Sequence, residues 1–468
     1  MTEELKDLRR EIKVFPYPKE EIKEKDPKKK YLNRMIVSGI LSLILILVIY
    51  FTLPLTILSV TSLIEYSVIV ALMMFMLILL IRYFSLLVLS YLNNNEYTFI
   101  NPPEINPFVS IIVPIYNEDK VLRDSIESLL NLEYDNYEII MVNDGSSDNT
   151  AEVAESLVGL QKGKYSDVKV TLINKQNAGK AIALNTGIAV SQADFVLCMD
   201  ADSKLSPNTL KDAMRHFNDP KVGAVAGNVK VLNRKKFLTD LQALEYIEGL
   251  NMARAAQSYL RLVNIIPGPI GIFRKEALQS AGFYSDDTFA EDADLTLKIL
   301  AAGWKIYYEP LAISYTQAPI KLQQLIKQRY RWTRGILQSL RKHKKLMFSS
   351  KSPSMGYTFI ILFMIYESLL WPVMNIAVNM FFIFAAIYFG ISSLLFYWWA
   401  GLAILDLAAA LYCITVEKEE FRLVWFAIIY RMFFILIVDI SKAMSTIEEF
   451  LGIKMNWGKL ERQANLTA

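Results

Sequence analysis

Two carboxylates one residue apart, Asp200 and Asp202, close the apolar run from Phe195 to Met199. A short, continuously apolar run reads as a strand buried on both faces. In an open α/β sheet, ligands gather beyond the carboxyl ends of the strands. Paired carboxylates there suit a hard divalent cation, Mg2+ or Mn2+, carrying phosphate oxygens. D-x-D alone is common by chance, so its meaning depends on the groups around it.

Further polar groups fall at equivalent places. Val109 to Ile115 (VSIIVPI) reads as a strand and is followed by Tyr116, Asn117 and Glu118, with Asn117 expected to cap a helix running to Leu130. Tyr137 to Val142 is a second strand, ending in the turn-forming run Asp144-Gly-Ser-Ser-Asp148. Lys180, next to Gly179, opens the small-residue helix expected over Asn177 to Val190. A lysine is electrostatically misplaced at a helix start, but a helix start carrying a lysine suits a phosphate.

Two motifs lie further on. Glu291, Asp292 and Asp294 begin a helix running to Ala302. One of them could serve as a general base, and the residues alone do not say which. Gln328, Arg331 and Trp332 share one face of a basic helix expected over Lys321 to Lys345. A forked arginine suits a diphosphate, and an indole offers an apolar face to a sugar ring. Between these motifs, the glycines of Pro267-Gly268-Pro269-Ile270-Gly271 allow close backbone approach.

The elements that must position these groups alternate strand and helix. Val168 to Ile173 and Phe195 to Met199 are the third and fourth strands, Val222 to Val231 a later one, and Phe237 to Leu260 a long helix. The alternation predicts a mostly parallel, doubly wound α/β sheet, whose shared edge brings the polar clusters together as a nucleotide-diphosphate cleft with a metal.

The chain has 468 residues, 53% of them hydrophobic, and a mean hydropathy of +0.28, too apolar for an ordinary soluble protein. The excess is confined to the ends. Met35 to Ile57 and Leu63 to Ile81 precede the sheet region; Met355 to Gly390, Leu394 to Val416 and Leu423 to Ile440 follow it. Trp371-Pro372 interrupts the longest run, which is expected to be one span with an interfacial helix or two short spans. Basic residues before the first run place the N-terminal tail, and with it the region from Arg82 to Ser350, on the cytoplasmic side of a plasma membrane; Lys454, Lys459 and Arg462 place the C-terminal tail there too, giving an expected six spans. The expected segments are a tail (1–34), two spans (35–92), an α/β domain (93–318), an amphipathic interfacial helix (319–350), three or four spans (351–443) and a tail (444–468).

The net charge of +3 gives no sign of nucleic-acid binding. The two cysteines, Cys198 and Cys413, lack zinc or disulfide spacing, and the two histidines, His216 and His343, are isolated in the sequence, which leaves no material for a Ser-His-Asp or His-metal site.

The stretch from Val113-Pro-Ile-Tyr-Asn-Glu118 to Trp332 resembles the family 2 glycosyltransferases with a GT-A fold, above all the membrane-integrated processive synthases of poly-N-acetylglucosamine, hyaluronan, chitin and cellulose. The resemblance implies a UDP-sugar donor, a growing polysaccharide as acceptor and inverting transfer into a β-linkage. It implies that Pro114, Tyr116, Glu118 and Asp144 bind the nucleotide, with Lys180, Asp200, Gln328 and Arg331 on the nucleotide-sugar side, Asp202 on the metal, Asp292 as the base, and Trp332, Gly268 and Glu291 toward the acceptor. Pro267 departs from the Ser or Cys that such synthases often carry beside this glycine. The related alternative is transfer of one sugar to a membrane lipid such as a polyprenyl phosphate. No cyclic-dinucleotide-binding domain is expected after Ala443, so regulation would come from a small membrane partner.

Overall fold

The computed structural model describes residues 63–97, 106–347, 355–389 and 393–453. The apolar run Met35 to Ile57 and the basic residues used to orient it lie outside the described residues.

Among the described residues, nine strands form one sheet: β1 (Val109–Ile115), β2 (Tyr137–Asp144), β3 (Gly159–Lys162), β4 (Asp167–Lys175), β5 (Phe195–Cys198), β6 (Ser203–Leu205), β7 (Val222–Val231), β8 (Gly271–Arg274) and β9 (Lys305–Thr316). Their order is β3-β4-β2-β1-β5-β8-β7-β9-β6. The expected parallel core is present as β4-β2-β1-β5, but the sheet as a whole is mixed, since β8 runs antiparallel to both β5 and β7 and outer strands β3 and β6 are also antiparallel to their neighbours. The mixture serves the site. Because β8 opposes β5, with Gly271 beside Cys198, the segment entering β8 lies at the same edge that β5 reaches with Asp200.

Strands β1 and β7 are buried almost throughout, which is why their sequences are mostly apolar or small rather than alternating, with Asn228 and Lys230 buried at the end of β7. One core lies on each face: Ile111, Val113, Ile139 and Met141 point into one, Ile112, Ile140, Val142 and Val196 into the other. Helix Lys180–Val190 covers the second with Ala181, Ala183, Leu184 and Ile188. Its small side chains hold the helix close to the sheet, which fixes where Lys180 emerges.

Asn117 is not a helix cap. The helix starts at Leu122, and Asn117 instead takes a left-handed backbone (φ 53°). Its N–H donates to Ser146 Oγ (3.0 Å) and its Oδ1 accepts from Ser147 N–H (2.7 Å), tying the β1 exit to the β2 exit. The long helix continues as expected from Phe237 to Tyr259 but widens into a π turn over Glu245–Asn251.

Among the described residues, four helices are long and apolar enough to cross a membrane: Ile69–Asn95, Met355–Tyr388, Trp398–Val416 and Phe421–Phe450. The first belongs to a helix spanning Leu63–Tyr97, which runs well past the expected end at Arg82. Arg82 lies inside it, paired with Glu367 (2.6 and 3.0 Å) and stacked over Trp371 at 4.9 Å. Met355 to Phe389 is one continuous rod rather than two short helices: a π turn at Tyr366–Leu370 immediately precedes Trp371-Pro372, and widening of the turn accommodates the N–H that Pro372 lacks. The last helix reaches Phe450, beyond the expected boundary at 443. Both of its ends touch the sheet domain or its flanking helix: Arg422 pairs with Asp240 (2.7 and 3.0 Å), and Glu449 with Arg334 (2.7 Å).

Candidate active site

Asp144, at the end of β2, is 4% exposed. Its carboxylate accepts from the N–H groups of Ala178 (2.9 Å) and Gly179 (2.8 Å) and pairs with Lys175. It therefore organises the loop that starts helix Lys180–Val190. Pro114 lies half-buried within β1 beside Val142; Tyr116, just beyond, is 41% exposed. Glu118 is buried, and its N–H donates to Thr150 Oγ1 (2.7 Å), a second tie between the β1 and β2 exits.

Lys180 reaches across the edge of the sheet. Its Nζ lies 2.6 Å from Asp200 Oδ1 and 2.8 Å from Glu291 Oε1. Gly268 packs over this group: a Cβ there would come 2.9 Å from Lys180 Nζ and 3.3 Å from Asp200 Oδ2. A larger residue at 268 would press on the ends of this ion pair, so the glycine sets how closely the segment packs over Lys180 and Asp200. Asp202 is 5% exposed, with Ser203 Oγ 3.5 Å from its Oδ1.

Three carboxylates in the first turn of helix Glu291–Ala301 have different fates. Burial alone would raise the pKa of Glu291, but the Lys180 ammonium, and less closely the Arg331 guanidinium, hold it below the ordinary value. Asp294 is fully buried among His343 (2.9 Å), Lys342 (3.1 Å) and Lys298 (3.5 Å); burial opposes ionisation there too, yet the His343 hydrogen bond and the two ammonium groups bring its pKa down to about 2. Asp292 alone is pushed up, to about 6, first by burial and then by the Glu291 charge. Its Oδ1 accepts only a local bond from Ala293 N–H (2.8 Å). Lys180, for its part, is desolvated but held above the ordinary lysine value by Asp200 and Glu291. Glu291 and Asp292, with Lys180, Cys198, Gly268 and Tyr284, line one small cavity.

Helix Leu322–Met347 docks on this helix start through Gly335, where a Cβ would come 2.5 Å from Ala290. That close approach brings the Arg331 charge to bear on both Glu291 and Asp292. Gln328 Oε1 accepts from Arg329 (2.6 Å). Trp332 lines a separate cavity of about 250 Å3 that extends between the sheet domain and the apolar helices to Trp371 and Arg431.

Arg329 carries no signal in the sequence; it is 3% exposed, pairs with Glu245 and stacks over Trp332 at 4.2 Å. Its partner lies in the π turn, far off in sequence. The histidines isolated in the sequence both have partners in space: His216 meets Glu309 (2.9 Å), which Arg215 also binds, and His343 meets Asp294. Cys198 and Cys413 are buried and unbridged, in keeping with packing roles. Of the basic residues on the helix expected over Lys321 to Lys345, Lys321, Arg341 and Lys344 are exposed, while Lys342 also pairs with Asp287.

Residues 110–282 match glycosyl transferase family 2. The match runs from β1 through β8. The chain is 33% identical over 281 residues to the poly-beta-1,6-N-acetyl-D-glucosamine synthase of Staphylococcus aureus strain COL, covering 59% of this chain and 66% of that protein. It is 35% identical over 228 residues to the synthase of the same description from Staphylococcus epidermidis, covering 48% of this chain and 54% of that one. The matched region thus spans just under two thirds of the first of these relatives and about half of the second. The fold is shared with a mannosyltransferase from Pyrobaculum calidifontis, determined in complex with GDP-Man and Mn2+, at a TM-score of 0.56 and 21% identity over 83% of this chain and 99% of that one. The sheet and its flanking helices are therefore of the GT-A kind.

Proposed function

We propose that the chain is an inverting glycosyltransferase that uses a UDP-activated sugar to extend a β-linked polysaccharide. The observation that carries this reading is the sorting of three neighbouring carboxylates. Glu291 is held ionised by Lys180 and Asp294 by His343 and two lysines, which leaves Asp292 with a pKa near 6 and no charged partner in contact. A general base works best with its pKa close to the ambient pH. Asp292 would take the proton of the acceptor hydroxyl as that oxygen attacks the anomeric carbon. Lys180 and Arg331 supply the positive charge that a departing diphosphate needs, and Arg331 can bind it through two N–H groups at once. Asp144 holds the nucleotide-side loop in shape, with Tyr116 exposed beside it.

Asp202 would hold the divalent cation, with Asp200, paired to Lys180, on the sugar-nucleotide side of it. Among the described residues no three acidic, histidine or cysteine side chains cluster tightly enough to form a closed cage. This fits the cation class that takes one or two carboxylates and fills its remaining positions with water and phosphate. Bound there, Mg2+ or Mn2+ would neutralise charge on the leaving diphosphate. The Mn2+ in the complex of the Pyrobaculum calidifontis mannosyltransferase supports this choice.

Chain extension is supported by the staphylococcal relatives, which are polysaccharide synthases by description, and by the cavity leading from Trp332 between the apolar helices. The product would leave the cytoplasm along it. In this reading the Leu63–Tyr97, Met355–Phe389 and Ser393–Val416 helices cross the plasma membrane, and Phe421–Phe450 lies on its inner face, since both ends of that helix reach cytoplasmic elements. One observation favours single transfer to a lipid instead. An apolar cavity of about 320 Å3, lined by Ile81, Leu89, Leu260, Phe359 and Phe363, adjoins the first and shares Arg82, Gln257 and Phe363 with it. Radiolabelled donor separates the two: polymer retained at the chromatographic origin supports extension, and a single labelled sugar in the organic phase overturns it.

A further inference from the structure

Four arginines line the cavity of about 250 Å3 that begins at Trp332. Three are matched to a carboxylate: Arg82 to Glu367 (2.6 Å), Arg329 to Glu245 and Arg431 to Asp406 (2.6 Å). The fourth is Arg254, on the final stretch of the long helix, Met252–Tyr259. It is 8% exposed and meets no carboxylate within ion-pair distance among the described residues. Its hydrogen bonds are two long, neutral ones, from Nε to Ile265 O (3.4 Å) and from Nη1 to Asn251 Oδ1 (3.2 Å). A guanidinium carries five donors and accepts nothing. Burying one without an anionic partner is costly, and the usual resolution is a partner that arrives later. Burial accordingly pulls the Arg254 pKa down, whereas Glu245 holds that of Arg329 up against the same desolvation. The neighbours of Arg254 in the cavity include Gln257, Asn264 and Trp332, planar amides and an aromatic face of the kind that hold carbohydrate. The Asp292 carboxylate is close enough for its charge to act on Arg254, which places the guanidinium within reach of the acceptor end of the site.

We infer that Arg254 binds the acceptor, donating to an acceptor-only oxygen, a carbonyl or carboxylate borne as a substituent, on the sugar chain that rests on Trp332. The inference builds on the transfer reading above and adds a selectivity to it. A donor-only group favours an acyl-amide or carboxylate substituent over a hydroxyl, and repels a free amine.

The test compares the full-length wild type with Arg254→Gln and Arg254→Lys, using a UDP-sugar donor and β-linked N-acetylhexosamine oligosaccharides, intact or de-N-acetylated, as added acceptors. For Arg254→Gln the acceptor KM rises about tenfold, the loss of a charged hydrogen bond. The product shortens, the preference for acetylated over de-acetylated acceptor shrinks, and the donor KM and UDP affinity stay unchanged. Arg254→Lys recovers part of the acceptor affinity. The inference is overturned if acceptor KM, product length and acceptor preference all match wild type in an active enzyme. It is also overturned if both variants lose UDP binding, which marks a structural role. A wild type that releases no UDP from any donor instead removes the transfer reading itself.

Discussion

The Lys180 ammonium lies 2.6 Å from Asp200 Oδ1 and in the same position touches Glu291 Oε1 at 2.8 Å. One side chain thus fastens the end of β5 to the start of the helix that carries Asp292. In the proposed donor site, an incoming diphosphate would meet a lysine already engaged, and would share or displace a carboxylate. Lys180→Gln is expected to raise the donor KM by roughly ten- to a hundredfold, since a charge-assisted contact to phosphate is lost. Calorimetric titration with UDP checks this, and an unchanged affinity would remove Lys180 from the donor site.

The pH dependence follows from Asp292. As the proposed base, Asp292 must be deprotonated to act, and burial raises its pKa to about 6. Turnover at saturating donor should therefore fall as pH drops through about 6. Above it the limb should be flat until another group titrates. A profile already flat down to pH 5 would assign the base elsewhere.

Asp294 belongs to a different category, although it sits two residues from Asp292. Its depressed pKa is a stability contribution that is present above the ordinary aspartate range and lost as pH falls toward about 2. Asp294→Asn leaves His343, Lys342 and Lys298 without their shared anion, and should lower stability by about 2–3 kcal/mol. Thermal unfolding of the detergent-solubilised protein measures this. The folded fraction should retain turnover, in contrast to Asp292→Asn.

Two strands buried on both faces, β1 and β7, were legible to the residue, because apolar and small residues dominate them even though Ser110, Asn228 and Lys230 are buried within them. Strand β9 escaped detection because Glu309 and Pro310 break its pattern; Glu309 still pairs with Gly227, but the next pair is Asn228 with Ile313, which leaves Pro310 to Ala312 out of the ladder. β3 (Gly159–Lys162) is mostly exposed and so carries no apolar signal. Within the site, sequence could place Glu291, Asp292 and Asp294 on one helix turn but could not rank them. Their differences come from Lys180, His343 and Lys342, each brought in by another element. Arg329 and Arg254 were invisible for the same reason: what distinguishes them is the presence or absence of a partner across the fold.

Membrane topology gives a further expectation. If Phe421–Phe450 lies along the inner face, the loop at Lys418 and the residues after Phe450 are on the same side as the sheet domain. The cytoplasmic C-terminus expected from its basic residues is then reached without six spans. Cysteines introduced at Lys418 and at Gly452 should both resist a membrane-impermeant thiol reagent added to intact cells. Labelling at Gly452 alone would mean that the last helix crosses.

The Arg329–Trp332 stack, at 4.2 Å, fixes the indole that is proposed to hold the terminal sugar. Trp332→Ala should shorten the product or end extension while leaving UDP binding intact. Arg329→Lys, which loses the two-point contact with Glu245, should show a weaker form of the same defect. Gel sizing of the labelled product distinguishes them from wild type.

The most direct measurement is UDP release by membranes containing wild type or Asp292→Asn, supplied in turn with individual UDP-sugars and Mn2+ or Mg2+. One donor should give divalent-dependent UDP release that falls by about 10²- to 10⁴-fold in the variant, the range for a general base. No release from any donor, or full turnover in Asp292→Asn, would contradict a glycosyl transfer driven by this carboxylate.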